Sequence, residues 1–284
     1  MEYDQPGQEQ TRLPTELAQH VPAERIAENE ARLLSSVPEA DPAQLEAVKH
    51  VLLELPLVHS TDSEAIERTG LLPQKLRPED ARSNTFSFDT SLGLDSSVFF
   101  DWPKPPESDR IMLDSRAENK VLVSADLLLD SRCYVTPRDL LESAQVNEDE
   151  QGHPELDATD EEMQMRERIY EWVYDGSFED IDAALSDQGF SFDDVSHADA
   201  TRLVARVKAQ IENLYFSQLV SGATWLEYTA RKIIAEGTAD LQPAEVKFNG
   251  VVPASSVVAL SSKQEFEETY EPHLQDVLDS LAAA

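Results

Sequence analysis

Apolar residues at helical spacing predict two helices near the start of the chain. Two apolar stripes with a helical period occur between positions 15 and 55, and the second follows Asp41 and Pro42, which together favour a helix start. Residues 1–14 are polar, contain two prolines and lack this period, as is typical of a loose tail. We therefore expect a flexible tail followed by two helices that end before Pro56.

The pattern changes after Pro56, where short apolar runs alternate with turn residues. Five of these runs are predicted strands: 57–58, 85–88, 97–100, 121–123 and 133–135. A later apolar and β-branched segment, 245–260, has Gly250 and Pro253 in its middle and predicts two strands across a turn. Together these strands predict a twisted, largely antiparallel sheet with long loops.

Helical spacing returns in the second half of the chain, after an acidic and apolar-poor segment at 143–162 that we interpret as a linker. Helices are predicted at 199–218, at 225–235 with Gly237 as its C-cap, and at 264–281. The predicted fold class is α+β. Its parts are N-terminal helices (15–55), a sheet core (56–142 and 240–262), an acidic linker and helical insertion (143–239) and a C-terminal helix (263–284).

Net charge limits the classes of partner. The 284 residues include 23 basic and 56 acidic side chains, which gives a net charge of −33. Such a field repels nucleic acids and anionic membranes, so we expect neither as a partner. Two explanations of the acidity stay open: an acidic surface that keeps the protein in solution, or a high-salt host, where the Debye length is roughly 3 Å at about 1 M salt.

Location and common chemistries are constrained by what the sequence lacks. It contains no apolar run of membrane-spanning length and no signal peptide, so we expect a soluble cytoplasmic protein. The single cysteine, Cys133, excludes an internal disulfide and a cysteine metal cluster, and we interpret it as a buried small residue. Dinucleotide-binding glycine motifs, P-loops, zinc-protease and serine-hydrolase motifs and EF-hand loops are absent, and no metal site is predicted.

The segment HSTDSEAIERTGLLP, residues 59–73, carries a candidate functional histidine. Thr61 and Glu64 are spaced as a capping box, which predicts a helix over 62–68 that Gly70 ends. His59 is then the last residue of a strand, close to the helix N-terminus, where polar ligands are readily bound. The alternative is that His59 only hydrogen-bonds a neighbouring loop.

Two later segments complete a pattern with His59. In LGLDSSVFFDWP, residues 92–103, Gly93 precedes a short apolar strand and Trp102 follows it. In QPAEVKFNGVVPASSVVAL, residues 242–260, Glu245 opens an otherwise apolar strand. A carboxylate at that position is either exposed to solvent or a fixed negative charge at the edge of a cleft.

Taken in order, the three segments resemble the ADP-ribosyltransferase superfamily, including poly(ADP-ribose) polymerases, DNA-modifying toxins and RNA 2′-phosphotransferases. The resemblance covers about a third of the chain and implies an ADP-ribosyltransferase-like twisted antiparallel sheet that binds NAD as a substrate. It implies that His59 hydrogen-bonds the adenosine ribose and that the Ser60 backbone holds the nicotinamide amide. The resemblance implies that the neighbouring Thr61 has a structural role in this cofactor-binding loop. The nicotinamide ring would be flanked by one of three aromatic residues: Phe99, Phe100 or Trp102.

The resemblance also implies catalytic roles for Glu245 and His59. Glu245 would hydrogen-bond the nicotinamide ribose and stabilise the positive charge that develops as the glycosidic bond breaks. The loop QKLRPEDAR, residues 74–82, supplies Arg77 or Arg82 as a contact for the pyrophosphate, the alternative being an ordinary solvated loop.

Three functional hypotheses follow. The first is an NAD-binding ADP-ribosyltransferase or NAD glycohydrolase that acts on a protein or small-molecule acceptor. The second is a non-catalytic acidic protein on a degenerate form of the same fold, which binds a basic partner, mimics nucleic acid or neutralises a toxin. The third is a phosphotransferase that acts on RNA ends, which the negative charge disfavours.

Overall fold

The structure is a computed structural model that describes residues 21–61, 66–79, 82, 89–90, 93–102, 119–136, 216–237, 244–270, 272–273, 276–277 and 280–281. The predicted tail, the predicted strand at 85–88, the acidic linker and most of the helix predicted at 199–218 lie outside these residues. Within the described ranges, no helix has the length and apolar character needed to cross a membrane.

Both helices predicted before Pro56 are present, as α1 (Ala23–Ser35) and α2 (Pro42–Leu53). Asp41 caps α2, because its side chain accepts hydrogen bonds from the backbone N–H groups of Ala43 and Gln44. Pro42 occupies the first helical position, where its missing N–H has no consequence. The start of α2 is therefore determined by local sequence.

Seven strands in the described part of the chain form one antiparallel sheet. They are β1 (Leu57–Thr61), β2 (Ser97–Asp101), β3 (Asn119–Val123), β4 (Cys133–Thr136), β5 (Val220–Ser221), β6 (Glu245–Asn249) and β7 (Val257–Ser262). Their order across the sheet is β5-β4-β6-β2-β1-β3-β7. An α+β protein with an antiparallel sheet was predicted, and this coarse class is confirmed.

The two strands predicted within 245–260 are present, as β6 and β7, but they do not pair with each other. β6 lies between β4 and β2, whereas β7 is at the sheet edge beyond β3. The connection includes Gly250, whose φ is 107°, a bridge between Leu71 and Val252, and the 3-10 helix Ala254–Ser256. The chain thus crosses three strands between β6 and β7.

Helix α4 (Gly222–Glu236), which follows the short helix α3 (Ile66–Thr69) in the described chain, packs into the core of the sheet. Its end at Gly237, with φ of 63°, matches the predicted C-cap. Trp225, Leu226 and Ile233 of α4 belong to the same hydrophobic core as β-strand residues. Because β5 pairs with β4 and α4 joins this core, both elements pack against the sheet.

The pairing between β1 and β2 is shorter than the pairing of either strand with its other neighbour. β1 makes five register pairs with β3, and β2 makes five with β6. Between β1 and β2 the described residues form one register pair, Val58 with Asp101. We define the β1–β2 seam as the part of the junction between these two strands that lies beyond this pair. The seam separates the half-sheet β5-β4-β6-β2 from the half-sheet β1-β3-β7.

Candidate functional site

Strand register divides the central side chains between two faces of the sheet. Residues that pair across neighbouring strands project to the same face, and successive residues alternate. One face, here called the polar face, contains Ser60, Phe99, Asp101, Lys120, Thr136, Glu245 and Lys247. The opposite, apolar face contains His59, Phe100, Val121, Val135 and Val246.

The predicted site residues are divided between these faces. Ser60, Phe99 and Glu245 share the polar face on the three adjacent strands β1, β2 and β6. His59 lies on the apolar face, because its neighbour Val58 is aligned through Asp101 with Glu245. The predicted groove in which His59 and Glu245 face each other is therefore not formed.

His59 also lies in the middle of β1 rather than at its end. The strand continues because Ser60 pairs with Lys120 and Thr61 pairs with Asn119 on β3. Thr61 is the last strand residue and lies on the same face as His59. The predicted capping partner at position 64 lies outside the described residues.

The His59 ring is fixed at the seam in one protonation state. Its Nδ1 lies 2.7 Å from the carbonyl oxygen of Phe99, and a carbonyl only accepts, so Nδ1 carries the proton and donates. Burial lowers the pKa of His59 from 6.5 to about 4, with a smaller lowering from the charges of Arg77 and Lys120. At neutral pH the buried Nε2 is therefore an acceptor, and it has no hydrogen-bond partner in the described part of the chain.

Glu245 forms a buried ion pair with Lys247. Oε1 of Glu245 lies 2.8 Å from Nζ of Lys247, and the two side chains are 7% and 2% exposed. Lys247 Nζ also donates to Oγ1 of Thr136 at 2.6 Å and to the carbonyl oxygen of Glu245 at 3.3 Å. The carboxylate is thus fixed in position, and its charge is compensated by a neighbouring ammonium group.

A second buried lysine lies on the other side of the seam. Nζ of Lys120 donates to Oγ of Ser60 at 2.7 Å, and Lys120 is 1% exposed. Neither Lys120 nor Lys247 was identified from the sequence, although each is a lysine inside a short apolar run, NKVLV and EVKFN. Lysines are rarely buried unless their charge is compensated, so a lysine within an apolar run was the sequence signal that could have identified both residues.

Of the two predicted phosphate ligands, the structure places Arg77 near the site. Arg77 is half-buried, which lowers the pKa of its guanidinium, and its Nε donates to the carbonyl oxygen of Leu72 at 2.8 Å. Its charge contributes to the lowered pKa of His59, so the guanidinium lies within electrostatic range of the imidazole. Arg82 is half-buried, and its backbone N–H donates to the carbonyl oxygen of Glu79 at 3.3 Å.

Among the three aromatic candidates, Phe99 is the one on the polar face. Phe100 is 2% exposed and contacts the His59 ring at a centroid distance of 5.8 Å. Trp102 is fully buried, and its backbone N–H donates to the carbonyl oxygen of Ala244 at 3.1 Å, which extends the β2–β6 ladder. Phe100 and Trp102 are therefore core residues, whereas half-buried Phe99 lies beside Ser60 and Lys247 across the sheet.

Nucleophilic thiol chemistry does not fit the described residues. Cys133 is fully buried, and burial raises the pKa of its thiol well above the usual range. No group of three or more histidine, cysteine, aspartate or glutamate residues that could bind a metal ion occurs among the residues with described positions. The described side chains at the seam offer hydrogen-bonding groups and fixed charges.

Comparisons with known proteins give no match. No protein-family model, no curated protein and no solved structure is similar to the chain. A functional proposal therefore depends on the arrangement of residues at the β1–β2 seam.

Proposed function

We propose that the protein has an ADP-ribosyltransferase-like fold, binds NAD at the β1–β2 seam and breaks the bond between nicotinamide and ribose. ADP-ribose would pass to a protein or small-molecule acceptor, or to water. The observation that carries the proposal is that the three segments of the resemblance form three adjacent strands, β6, β2 and β1. Long stretches of chain separate these segments, so their adjacency is independent of the sequence pattern.

The polar face at the seam supplies groups that suit a ribose. The Ser60 hydroxyl and the Glu245 carboxylate lie on this face and can pair with sugar hydroxyls. His59 lies on the opposite face, so the ribose contact that the resemblance assigns to it is not part of this proposal. Arg77 is the candidate contact for the pyrophosphate.

The edge of β1 supplies a site for the nicotinamide amide. Beyond Val58 the described residues of β1 form no register pair with β2, whereas β1 remains paired with β3 through Thr61. A carboxamide has one acceptor and two donors and can pair with a strand edge as another strand would. We assign this contact to the Ser60 backbone, with Phe99 flanking the ring.

Glu245 would act on the transition state. When the glycosidic bond breaks, its electron pair leaves with nicotinamide and the ribose carbon becomes positively charged. A nucleophilic atom of the acceptor then bonds to this carbon and loses its proton. A fixed carboxylate near that carbon stabilises the charge, and preorganised groups of this kind contribute about 3 to 4 kcal/mol.

Nicotinamide release tests the proposal. Wild-type protein is mixed with NAD while free nicotinamide is measured, alongside Glu245→Gln and the exposed control Glu39→Gln. We expect the Glu245 variant to lose about 100-fold or more in turnover and the Glu39 variant to retain it. NAD should also raise the melting temperature of all three proteins, since binding to the folded state stabilises it.

The second candidate is a non-catalytic protein that binds a basic partner. It is favoured by the 2.8 Å ion pair, which compensates the Glu245 charge within the fold, and by the 56 acidic side chains. If NAD at millimolar concentration gives neither nicotinamide nor a change in melting temperature, the NAD proposal is rejected in favour of this binder.

A further inference from the structure

Two carboxylates lie side by side on the polar face of the sheet. Asp101 on β2 pairs directly with Glu245 on β6, so both side chains project to the same face. Cβ atoms of such pairs are about 4.5 to 5.5 Å apart, and like charges at that distance disfavour each other. Glu245 is also 6% exposed, which further disfavours its charged form.

Lys247 opposes the two effects that disfavour the charged form of Glu245, which are the nearby Asp101 and burial. It lies two residues after Glu245 on the same strand, so its side chain projects to the same face. Its ammonium contacts the Glu245 carboxylate at 2.8 Å and is held from the other side by the Thr136 hydroxyl at 2.6 Å. Thr136 in turn pairs with Glu245 across β4 and β6.

We propose that Lys247, held by Thr136, is a positioning residue that keeps the Glu245 carboxylate ionised and fixed in orientation beside Asp101. This role of Lys247 is inferred from its contacts alone, and only its importance for catalysis rests on the proposed function. The described titratable groups that face this pair are Asp101 from β2 and Tyr134 from β4. Burial raises the pKa of Tyr134 to about 12, so this phenol stays neutral over the range tested.

The proposal makes a prediction about titration that needs no enzymatic activity. The protein is labelled with ¹³C at the glutamate side-chain carboxyls, and Glu245 is assigned by the signal that disappears in Glu245→Gln. In Lys247→Met the pKa of Glu245 should rise by about 1 to 3, because an opposite charge in contact is lost. Lys247→Arg should restore most of the wild-type value, and Lys49→Met, which removes a half-buried lysine paired with Glu46, should change nothing.

Thr136→Val provides a second route if Lys247→Met does not fold. It removes the hydroxyl that holds the ammonium but leaves both charges, so the pKa of Glu245 should rise by a smaller amount. Asp101→Asn should change the pKa of Glu245 in the opposite direction, downward. A Glu245 titration that is unchanged in Lys247→Met, or in Thr136→Val when the former is unfolded, overturns the proposal.

Activity separates this inference from the proposed function. If wild-type protein releases nicotinamide, the acid limb of its pH profile should move to higher pH in Lys247→Met and return in Lys247→Arg. If wild-type protein neither binds NAD nor releases nicotinamide, the proposed function fails. The titration of Glu245 still supports or overturns the role of Lys247 in that case.

Discussion

Nδ1 of His59 donates a hydrogen bond of 2.7 Å to the carbonyl oxygen of Phe99, which fixes a side chain of β1 to the backbone of β2. This contact lies where the two strands stop pairing. Nδ1 donates in the neutral and in the doubly protonated ring, and burial favours the neutral form. Acid therefore opposes the fold at the seam through the burial of the ring and not through loss of this hydrogen bond.

The first prediction concerns stability at acidic pH. The pKa of His59 is about 4 in the fold, against an ordinary value of 6.5 for a solvated histidine, so the unfolded state binds a proton more readily. The contribution of His59 is therefore complete above pH 6.5 and is lost as pH falls toward 4, by at most about 3 kcal/mol. Urea unfolding at several pH values between 4 and 8 measures this loss.

Comparison with variants separates the contribution of His59 to the pH dependence of stability from the contributions of the many carboxylates. In His59→Asn the unfolding free energy should fall less steeply between pH 6.5 and 4 than in wild type, whereas His273→Asn, at an exposed position, should follow wild type. Parallel pH profiles for wild type and His59→Asn would show that His59 is not protonated selectively in the unfolded state.

The second prediction concerns the turn that follows α3. Gly70 has φ of 69°, and a Cβ built on it would lie 2.1 Å from the carbonyl oxygen of Val252. Gly70→Ala should therefore destabilise the protein by about 3 kcal/mol or more, because both backbone strain and a clash with fixed backbone are introduced. Chemical denaturation measures the change.

Gly237 provides a matched control for this substitution. Its φ of 63° is nearly the same, but nothing lies within 4 Å of the position of a Cβ. Gly237→Ala should cost about 1 kcal/mol, the backbone strain alone. Equal losses in the two variants would contradict the role of the Val252 contact.

Some of these features could be predicted from the sequence because they are local. The start of α2 depends on the cap from Asp41, and the end of α4 depends on the left-handed conformation that Gly237 adopts easily. The strands β2, β3 and β4 coincide with apolar runs that turn residues bound. Each signal is contained within a few neighbouring positions of the chain.

The sequence could not predict which site residues share a face of the sheet, because this depends on the register between strands that are distant in the chain. A slip of one residue moves every side chain of a strand to the opposite face, and the sequence does not specify which residue pairs with Val58. The observed partner is Asp101, and this pairing separates His59 from Glu245. Lys120 and Lys247 were missed for a related reason, since a lysine in a strand usually faces solvent.

The third prediction concerns the attachment of α1 to the segment before β5. Asn29 is 4% exposed, and its Nδ2 donates to the carbonyl oxygens of Phe216 and Leu219, both at 3.0 Å. Asn29→Ala should destabilise the fold by about 2 kcal/mol or more, because two hydrogen bonds from a buried amide to backbone carbonyls are lost. The free energy of unfolding in urea checks this value.

The exposed Ser36→Ala substitution, at the C-cap of the same helix, is the control. The Ser36 hydroxyl donates to the carbonyl oxygen of Leu33 at 2.6 Å but is accessible to water, which can replace it. We expect a change below about 0.5 kcal/mol. A similarly small effect of Asn29→Ala would mean that α1 does not hold the segment that leads into β5.

The fourth prediction uses Cys133 as a reporter of opening of the sheet. Its thiol is fully buried in β4, and burial raises its pKa, so both access and the thiolate fraction are low. A disulfide reagent such as DTNB should therefore modify native protein at the rate at which β4 becomes exposed. Since Cys133 is the sole cysteine, one signal reports the event. Labelling should accelerate with denaturant in proportion to unfolding, and rapid modification in native buffer would show that β4 opens locally without loss of the core.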